Sequence, residues 1–316
     1  YGDNAQATDL ATGIRAAVTD ASQVIVVPGS GVDAPIAGGI EAAAAAAHDA
    51  DVVLLAIGEP QTLSGESHSR ADITVPAAQM ALARAVAAVG KPLVVVLKNG
   101  RALALEQPII DAPAILVTWF LGTESGSAIA DILFGAASPS ARLPVSFPFA
   151  TGQEPYHYDH KPTGRPNPPG PIEPFKTHFE GMPNAARFAF GHGLTYGKID
   201  YSGLEMDDAR LGWDKSLTVA AVIGNRGTRD AEEVVQLYIR DMAASVTRPV
   251  RELKAFQKIW VPAGGKTRVT FSISRGDLLF IGQQLKPVVE PGQFELWIAP
   301  SAQAEGLKGV FTLMRD

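Results

Sequence analysis

The sequence predicts an α/β domain, built as a mostly parallel sheet flanked by helices, followed by an all-β sandwich, and three observations carry that prediction. Over the first half, Ala-rich helical stretches alternate with short, continuously apolar runs. A segment dense in proline, glycine and aromatic residues then interrupts all periodicity. Beyond Tyr201, apolar residues fall at every second position. Length agrees, because 316 residues exceed the roughly 250–300 at which a single core stops growing. The expected boundaries are 1–147 for the α/β domain, 148–198 for a linker and long loop, and 199–316 for the sandwich.

Four apolar runs, at 24–27, 52–57, 93–97 and 114–119, are the expected parallel strands. The stretches 41–50 and 76–89 are long enough to be crossover helices between them. Glu124 is placed to open a further helix ending near Phe134, where a negative charge complements the helix dipole. The run EPYHYDHKPTGRPNPPGPIEP, 154–174, reads as a long ordered loop. In the second half the alternating sets are Leu217, Val219, Ala221, Ile223, then Val235, Leu237, Ile239, then Val269, Phe271, Ile273, and finally Phe294, Leu296, Ile298. Turn signals GNRGT, PAGG and EPGQ separate these sets, which is the pattern of an immunoglobulin- or fibronectin-type sandwich. Trp213, Trp260 and Trp297 fall inside it and are expected in core or surface packing.

A formal charge of −6 without a basic block argues against nucleic acid or an anionic membrane as the main partner. The absence of cysteine excludes disulfides, thiolate metal sites and a thiol nucleophile, and leaves the compartment open. No apolar run reaches the roughly 18 residues of a membrane span. The opening YGDNAQATDL lacks the layout of a signal peptide, so the chain is expected to begin in mature sequence or mid-protein. No spacing of His, Asp or Glu suggests a catalytic metal, and no cofactor is expected.

The segment 51–76, DVVLLAIGEPQTLSGESHSRADITVP, holds the candidate site. An apolar strand ends at Gly58 and empties into a polar loop, and ligands of open α/β sheets bind at such carboxyl ends. Glu59, Ser64, Glu66, His68 and Arg70 are therefore the first candidates. A serine-hydrolase reading fails because SGES lacks the glycine-flanked nucleophile elbow. A dinucleotide reading of GSGVDA, 29–34, fails because Pro35, Gly38 and Gly39 spoil the helix that would hold the pyrophosphate.

A wider pattern joins these residues. GEPQTLSGESHSRADITVPAAQMALARAV, GKPLVVVLKNGRALAL, TWFLGTESGSAIADILFG, SARLPVSFP and FGHGLTY occur in this order, and the chain from about Ser22 onward resembles glycoside hydrolase family 3, nearest to bacterial periplasmic β-glucosidases. The resemblance implies three parts: a (β/α)8 barrel, an α/β sandwich and a fibronectin type III-like domain, of which this chain holds the last two. It implies a periplasmic or secreted enzyme that releases terminal β-D-glucosyl residues with retention of configuration. Glu66 in SGESHSR matches the family's acid/base position; the aspartate nucleophile belongs to the barrel and has no matching motif here. Asp214 in GWDKS lies in an expected sandwich turn and has no catalytic weight.

Retaining hydrolysis needs two carboxyl groups about 5–5.5 Å apart, one to attack and one to protonate the leaving oxygen. One carboxylate alone fills one role, so the isolated chain is expected to be inactive until a barrel joins it, covalently or as a second chain. Glu59 is the rival acid, with pairing to Arg70 or backbone amides as its structural alternative. Arg70 anchors the loop through Asp72 or Glu59. His68 either contacts a sugar hydroxyl, tunes Glu66 or lies at the surface, and Ser64 is a substrate contact or a turn residue. Trp119, with Phe120, is expected at the same sheet edge, as site lining or packing. Tyr156 and Tyr158, flanking His157, are candidate subsite contacts. The expected partners are a β-glucoside or oligosaccharide and the barrel, with a homodimer possible; the alternative reading is a non-catalytic carbohydrate-binding or scaffolding module.

Overall fold

Three of the four apolar runs form one parallel sheet in the computed structural model, which describes residues 6–162, 164–167 and 171–315. The strands are β1 (Val53–Gly58), β2 (Leu93–Lys98) and β3 (Ala114–Val117), in the order β1-β2-β3. Leu55 faces Val95, which faces Ile115 on the other side. The central strand is the most buried, with Val95, Val96 and Leu97 fully enclosed, as expected where a neighbour lies on each side. Helix α1 (Leu10–Ala17) is capped by Asp9, whose carboxylate accepts from the Thr12 amide at 2.8 Å. Helix α2 (Gly39–Asp49) precedes β1, α3 (Ala77–Ala87) crosses from β1 to β2, and α4 (Ser125–Leu133) follows β3. Met80, Ala83 and Val86 give α3 its buried stripe at helical spacing. Glu124 stands at the N-cap of α4 without a capping bond from its side chain.

The fourth run is not a strand. Residues 24–27 join no ladder among the described residues, with Ile25 64% and Val26 54% exposed. Among the described residues β1 pairs with β2 alone. On its other side a cavity of about 210 Å³ separates residues 56–60 from residues 30–32. The carboxamide of Gln79 on α3 spans that gap. It accepts from the Gly58 amide at 2.7 Å and donates to the carbonyls of Gly58 at 2.8 Å and Val32 at 3.1 Å. Sheet neighbours must come within about 4.8 Å, and here a side-chain amide has taken the bonds that a neighbouring strand would make.

Contacts divide the chain into two units, Tyr1–Ala137 with Pro148–Glu154, and Ser138–Phe147 with Pro155–Asp316. Much of the segment expected as a linker thus packs with the sandwich; Thr163 and residues 168–170 of that segment lie outside the described residues, as do 1–5 and 316.

The second unit is a two-sheet β-structure. One sheet holds β4 (Ile199–Met206), β6 (Ser216–Asn225) and β9 (Lys266–Ser274), in the order β4-β6-β9. The other holds β5 (Arg210–Leu211), β7 (Ala231–Asp241), β8 (Glu252–Val261), β12 (Gly292–Ala299) and β13 (Leu307–Leu313), in the order β5-β13-β12-β7-β8. A short pair, β10 (Phe280–Ile281) and β11 (Pro287–Val288), stands apart. The alternating residues of the sequence are its core: none of the four sets named above is more than 4% exposed. They interdigitate from β6 and β9 on one side and β7 and β12 on the other. Of the tryptophans, Trp297 is buried, Trp213 packs at the core's margin and Trp260 is largely exposed.

Glu233 on β7 is buried, paired with Arg142 and hydrogen-bonded by the Tyr201 hydroxyl at 2.8 Å. Burial and the Glu233 charge push the Tyr201 phenol far above its ordinary range. His192, stacked on Phe188 with ring centres 5.3 Å apart, is pushed the other way, first by burial and then by the Arg142 charge. Below the ordinary value of 6.5 the unfolded chain binds a proton that the folded unit refuses, so acidification through that value favours unfolding. His192→Phe is expected to flatten the fall in sandwich stability between about pH 6.5 and 5, read as urea midpoints at several pH values; an unchanged slope would exclude His192 as its source.

Candidate active site

Glu59 follows β1 directly, and its carboxylate is fully buried. Burial of a charge requires compensation, and two arginines supply it. Arg70 donates from Nη1 to Glu59 Oε1 at 2.8 Å, and Arg101 Nε lies 3.1 Å from the same oxygen. The second oxygen accepts from the Gly100 amide at 3.2 Å. Arg70 also donates from Nη2 to the Thr74 carbonyl at 2.9 Å. Asp72 takes no such bond from Arg70; it accepts from the Thr74 amide, which holds its carboxyl below the ordinary range, and the Arg70 charge adds to that.

Around this ionic knot runs the loop that carries Glu66. Glu66 is exposed and flanked by two unusual backbone conformations, Gly65 at φ 119° and Ser67 at φ 65°. A left-handed serine is strained, and such strain concentrates where a side chain is held for use. The His68 imidazole fixes the tip, with Nδ1 2.8 Å from the Glu66 carbonyl. Arg101 Nη2 donates to the carbonyls of both Leu63 and His68. Arg101 is itself oriented by Asn99, a fully buried residue whose Nδ2 donates to the Arg101 carbonyl at 2.7 Å.

The turn after β2 lies against the loop. A Cβ on Gly100 would come within 2.0 Å of Ser64 Oγ and 2.7 Å of Phe120. Gly100→Ala is therefore expected to force Ser64 and Phe120 apart at a cost of about 1–3 kcal/mol, measured as a shift in the urea midpoint. No shift would mean that the loop yields freely there.

The structure thus brings Glu59, Ser64, Glu66, His68 and Arg70 into one cluster. Trp119 stands at φ 55°, a second strained position, on the same carboxyl edge just beyond β3. Tyr156 and Tyr158 belong to the sandwich unit. The Tyr158 ring stacks on Phe190 at 4.2 Å and its hydroxyl accepts from the Leu253 amide at 3.2 Å; Tyr156 accepts from Gln303 Nε2 at 2.9 Å. Asp214 pairs with Arg275 at 3.2 Å. The GSG turn at 29–31 is followed by no helix until Gly39, so it presents no helix terminus to a phosphate. Among the described residues no group of three or more His, Asp or Glu converges on a metal-sized site, and no helix is long and apolar enough to cross a membrane.

Arg101, Asn99 and Gln79 make side-chain bonds that hold this edge together, and sequence reasoning passed over them. One signal was available: NGR directly after an apolar strand puts an arginine on the same sheet edge as the loop.

Comparison with known proteins places the chain in a family. Residues 2–196 match the glycosyl hydrolase family 3 C-terminal domain, and residues 233–302 match the fibronectin type III-like domain. A periplasmic beta-glucosidase of Salmonella typhimurium is 41% identical over 275 residues, which are 87% of this chain and 36% of that protein. A beta-xylosidase of Formosa agariphila is 33% identical over 298 residues, 94% of this chain and 40% of that one. The crystal structure of a beta-glucosidase from Listeria innocua in complex with glucose superposes with a TM-score of 0.93 at 35% identity, covering 99% of this chain and 43% of that one. The chain spans well under half the length of these relatives. With an α/β domain of this family followed by its fibronectin type III-like partner, the chain belongs to glycoside hydrolase family 3.

Proposed function

We propose that this chain is the acid/base-bearing part of a retaining, exo-acting β-glucosidase, and that Glu66 is the general acid and base. The observation that supports it most is the presentation of Glu66. It is an exposed carboxylate on a strained loop at the carboxyl end of β1, fastened from below by Arg101 and the Glu59 knot. In the first step the protonated Glu66 gives its proton to the glycosidic oxygen while an aspartate of the barrel attacks the anomeric carbon, so the C–O bond to the leaving alcohol breaks as the glycosyl–enzyme bond forms. In the second, the Glu66 carboxylate takes a proton from water, which attacks the same carbon and frees the aspartate and glucose. A terminal β-D-glucosyl residue is the proposed substrate, in keeping with the beta-glucosidases among the relatives. The proposed compartment, periplasmic or extracellular, is in keeping with the name of the Salmonella relative.

The chain alone lacks a nucleophile in this scheme. Purified by itself it is expected to turn over no aryl β-glucoside, and to gain turnover when a family barrel is fused upstream or supplied as a second chain. Full turnover by the 316-residue chain would overturn the division of labour. Saccharide binding without turnover in the fused form would favour a carbohydrate-binding module instead.

A further inference from the structure

We infer that Arg101 is a positioning residue for the acid/base, acting by clamping the backbone of the loop that displays Glu66; the inference rests on the Glu66 reading above. Its basis is the economy of the loop's attachments. Within residues 60–68 the hydrogen bonds are local: Leu63 to Pro60, Ser64 to Gln61, His68 to Gly65, and the His68 ring to the Glu66 carbonyl. Among the described residues, the hydrogen bonds that tie this stretch to the rest of its unit come from one nitrogen, Arg101 Nη2, to the carbonyls of Leu63 and His68. Those carbonyls bracket Gly65, Glu66 and Ser67. The clamp therefore fixes the two ends of the segment whose unusual φ angles aim the Glu66 side chain.

Arginine suits this task for a reason of shape. Its planar guanidinium places Nε beside the buried Glu59 carboxylate and Nη2 toward the loop, so that one rigid group spans from strand β1 to two carbonyls. A lysine would bring the charge but not the fork. Asn99 holds the backbone of Arg101 at its root, so the clamp is rigid at both ends. The guanidinium makes no claim on the Glu66 side chain. What it controls is where that carboxyl sits relative to a leaving oxygen, and a displacement of about 1 Å at a catalytic group can cost about 100-fold in rate.

Two measurements separate this role from general scaffolding. In the 316-residue chain, Arg101→Ala is expected to raise amide hydrogen exchange at residues 65–69 selectively, leaving the core of β2 protected. In the enzyme with its barrel, the same variant is expected to lose about 10- to 100-fold in kcat/KM on an alkyl β-glucoside or cellobiose. Those substrates need their leaving oxygen protonated. On a dinitrophenyl β-glucoside, which needs no protonation to depart, kcat/KM should be nearly unchanged. Arg101→Lys, which keeps the charge beside Glu59, should retain the fold and recover only part of the loss on the alkyl glucoside. Equal losses on both substrates, or unaltered exchange at 65–69 in both variants, would overturn the clamp. A Glu66→Gln enzyme with no leaving-group dependence would instead overturn the acid/base reading, and the exchange result would still stand on its own.

Discussion

Glu66→Gln, in the enzyme carrying its barrel, is expected to lower kcat/KM on an alkyl β-glucoside by about 10²- to 10⁴-fold, the usual weight of one positioned general acid. Glutamine keeps the size of the side chain and removes its proton chemistry. Because Glu66 is exposed and the loop's own bond at this residue, from the His68 ring, goes to its backbone carbonyl, the fold should not notice the change. The melting temperature of the chain should therefore stay where it is. On a dinitrophenyl glucoside the first step survives, since that leaving group needs no proton, while the second still lacks its base. Added azide, a nucleophile that needs no deprotonation, should then restore turnover and yield the glycosyl azide. Loss of activity on every substrate without rescue would point to a residue needed for shape rather than for proton transfer.

The second large effect is on stability. Glu59→Ala removes the buried carboxylate that pairs with both Arg70 and Arg101 and leaves the Gly100 amide without its acceptor. Breaking a buried pair from one side typically costs about 3–5 kcal/mol. That is a large share of the roughly 5–15 kcal/mol that holds a domain folded. The loss should be confined to the first unit, where Trp119 is the tryptophan; Trp213, Trp260 and Trp297 lie in the second. In a background with those three replaced by phenylalanine, the urea midpoint read from Trp119 fluorescence should fall sharply. A shift of less than about 1 kcal/mol would mean that the pair behaves like an exposed one. The two variants thus separate two glutamates of one segment, one expected to leave stability unchanged and one expected to carry a large share of it.

Much of this was legible in the sequence because hydrophobic period and burial are the same fact seen twice. Leu217, Val219, Ala221 and Ile223 alternate because one face of β6 meets the opposing sheet. The same logic misled at residues 24–27, since an apolar run shows what a segment prefers and not whether a neighbour stands beside it. Glu59 and Arg70 could be paired in advance because they sit at the two ends of one loop. Arg101 could not: its partners are backbone carbonyls, which every residue possesses and no sequence pattern announces. The stacking of Tyr158 on Phe190 was likewise invisible, because the sequence does not reveal which ring a distant segment brings against it.

The clamp has a consequence for how such a loop varies and how it can be redesigned. Arg101 reads carbonyls, so it is blind to the identity of the residues whose carbonyls it holds. The exposed side chains of Gln61 and Thr62 are expected to tolerate substitution, provided that the turn keeps its length and Gly65 its backbone freedom. A library built on those positions is expected to vary the surroundings of Glu66 while its carboxylate stays in place. On this proposal the fixed points are a buried glutamate and an arginine outside the loop, and the part open to redesign is the stretch that leads to Glu66.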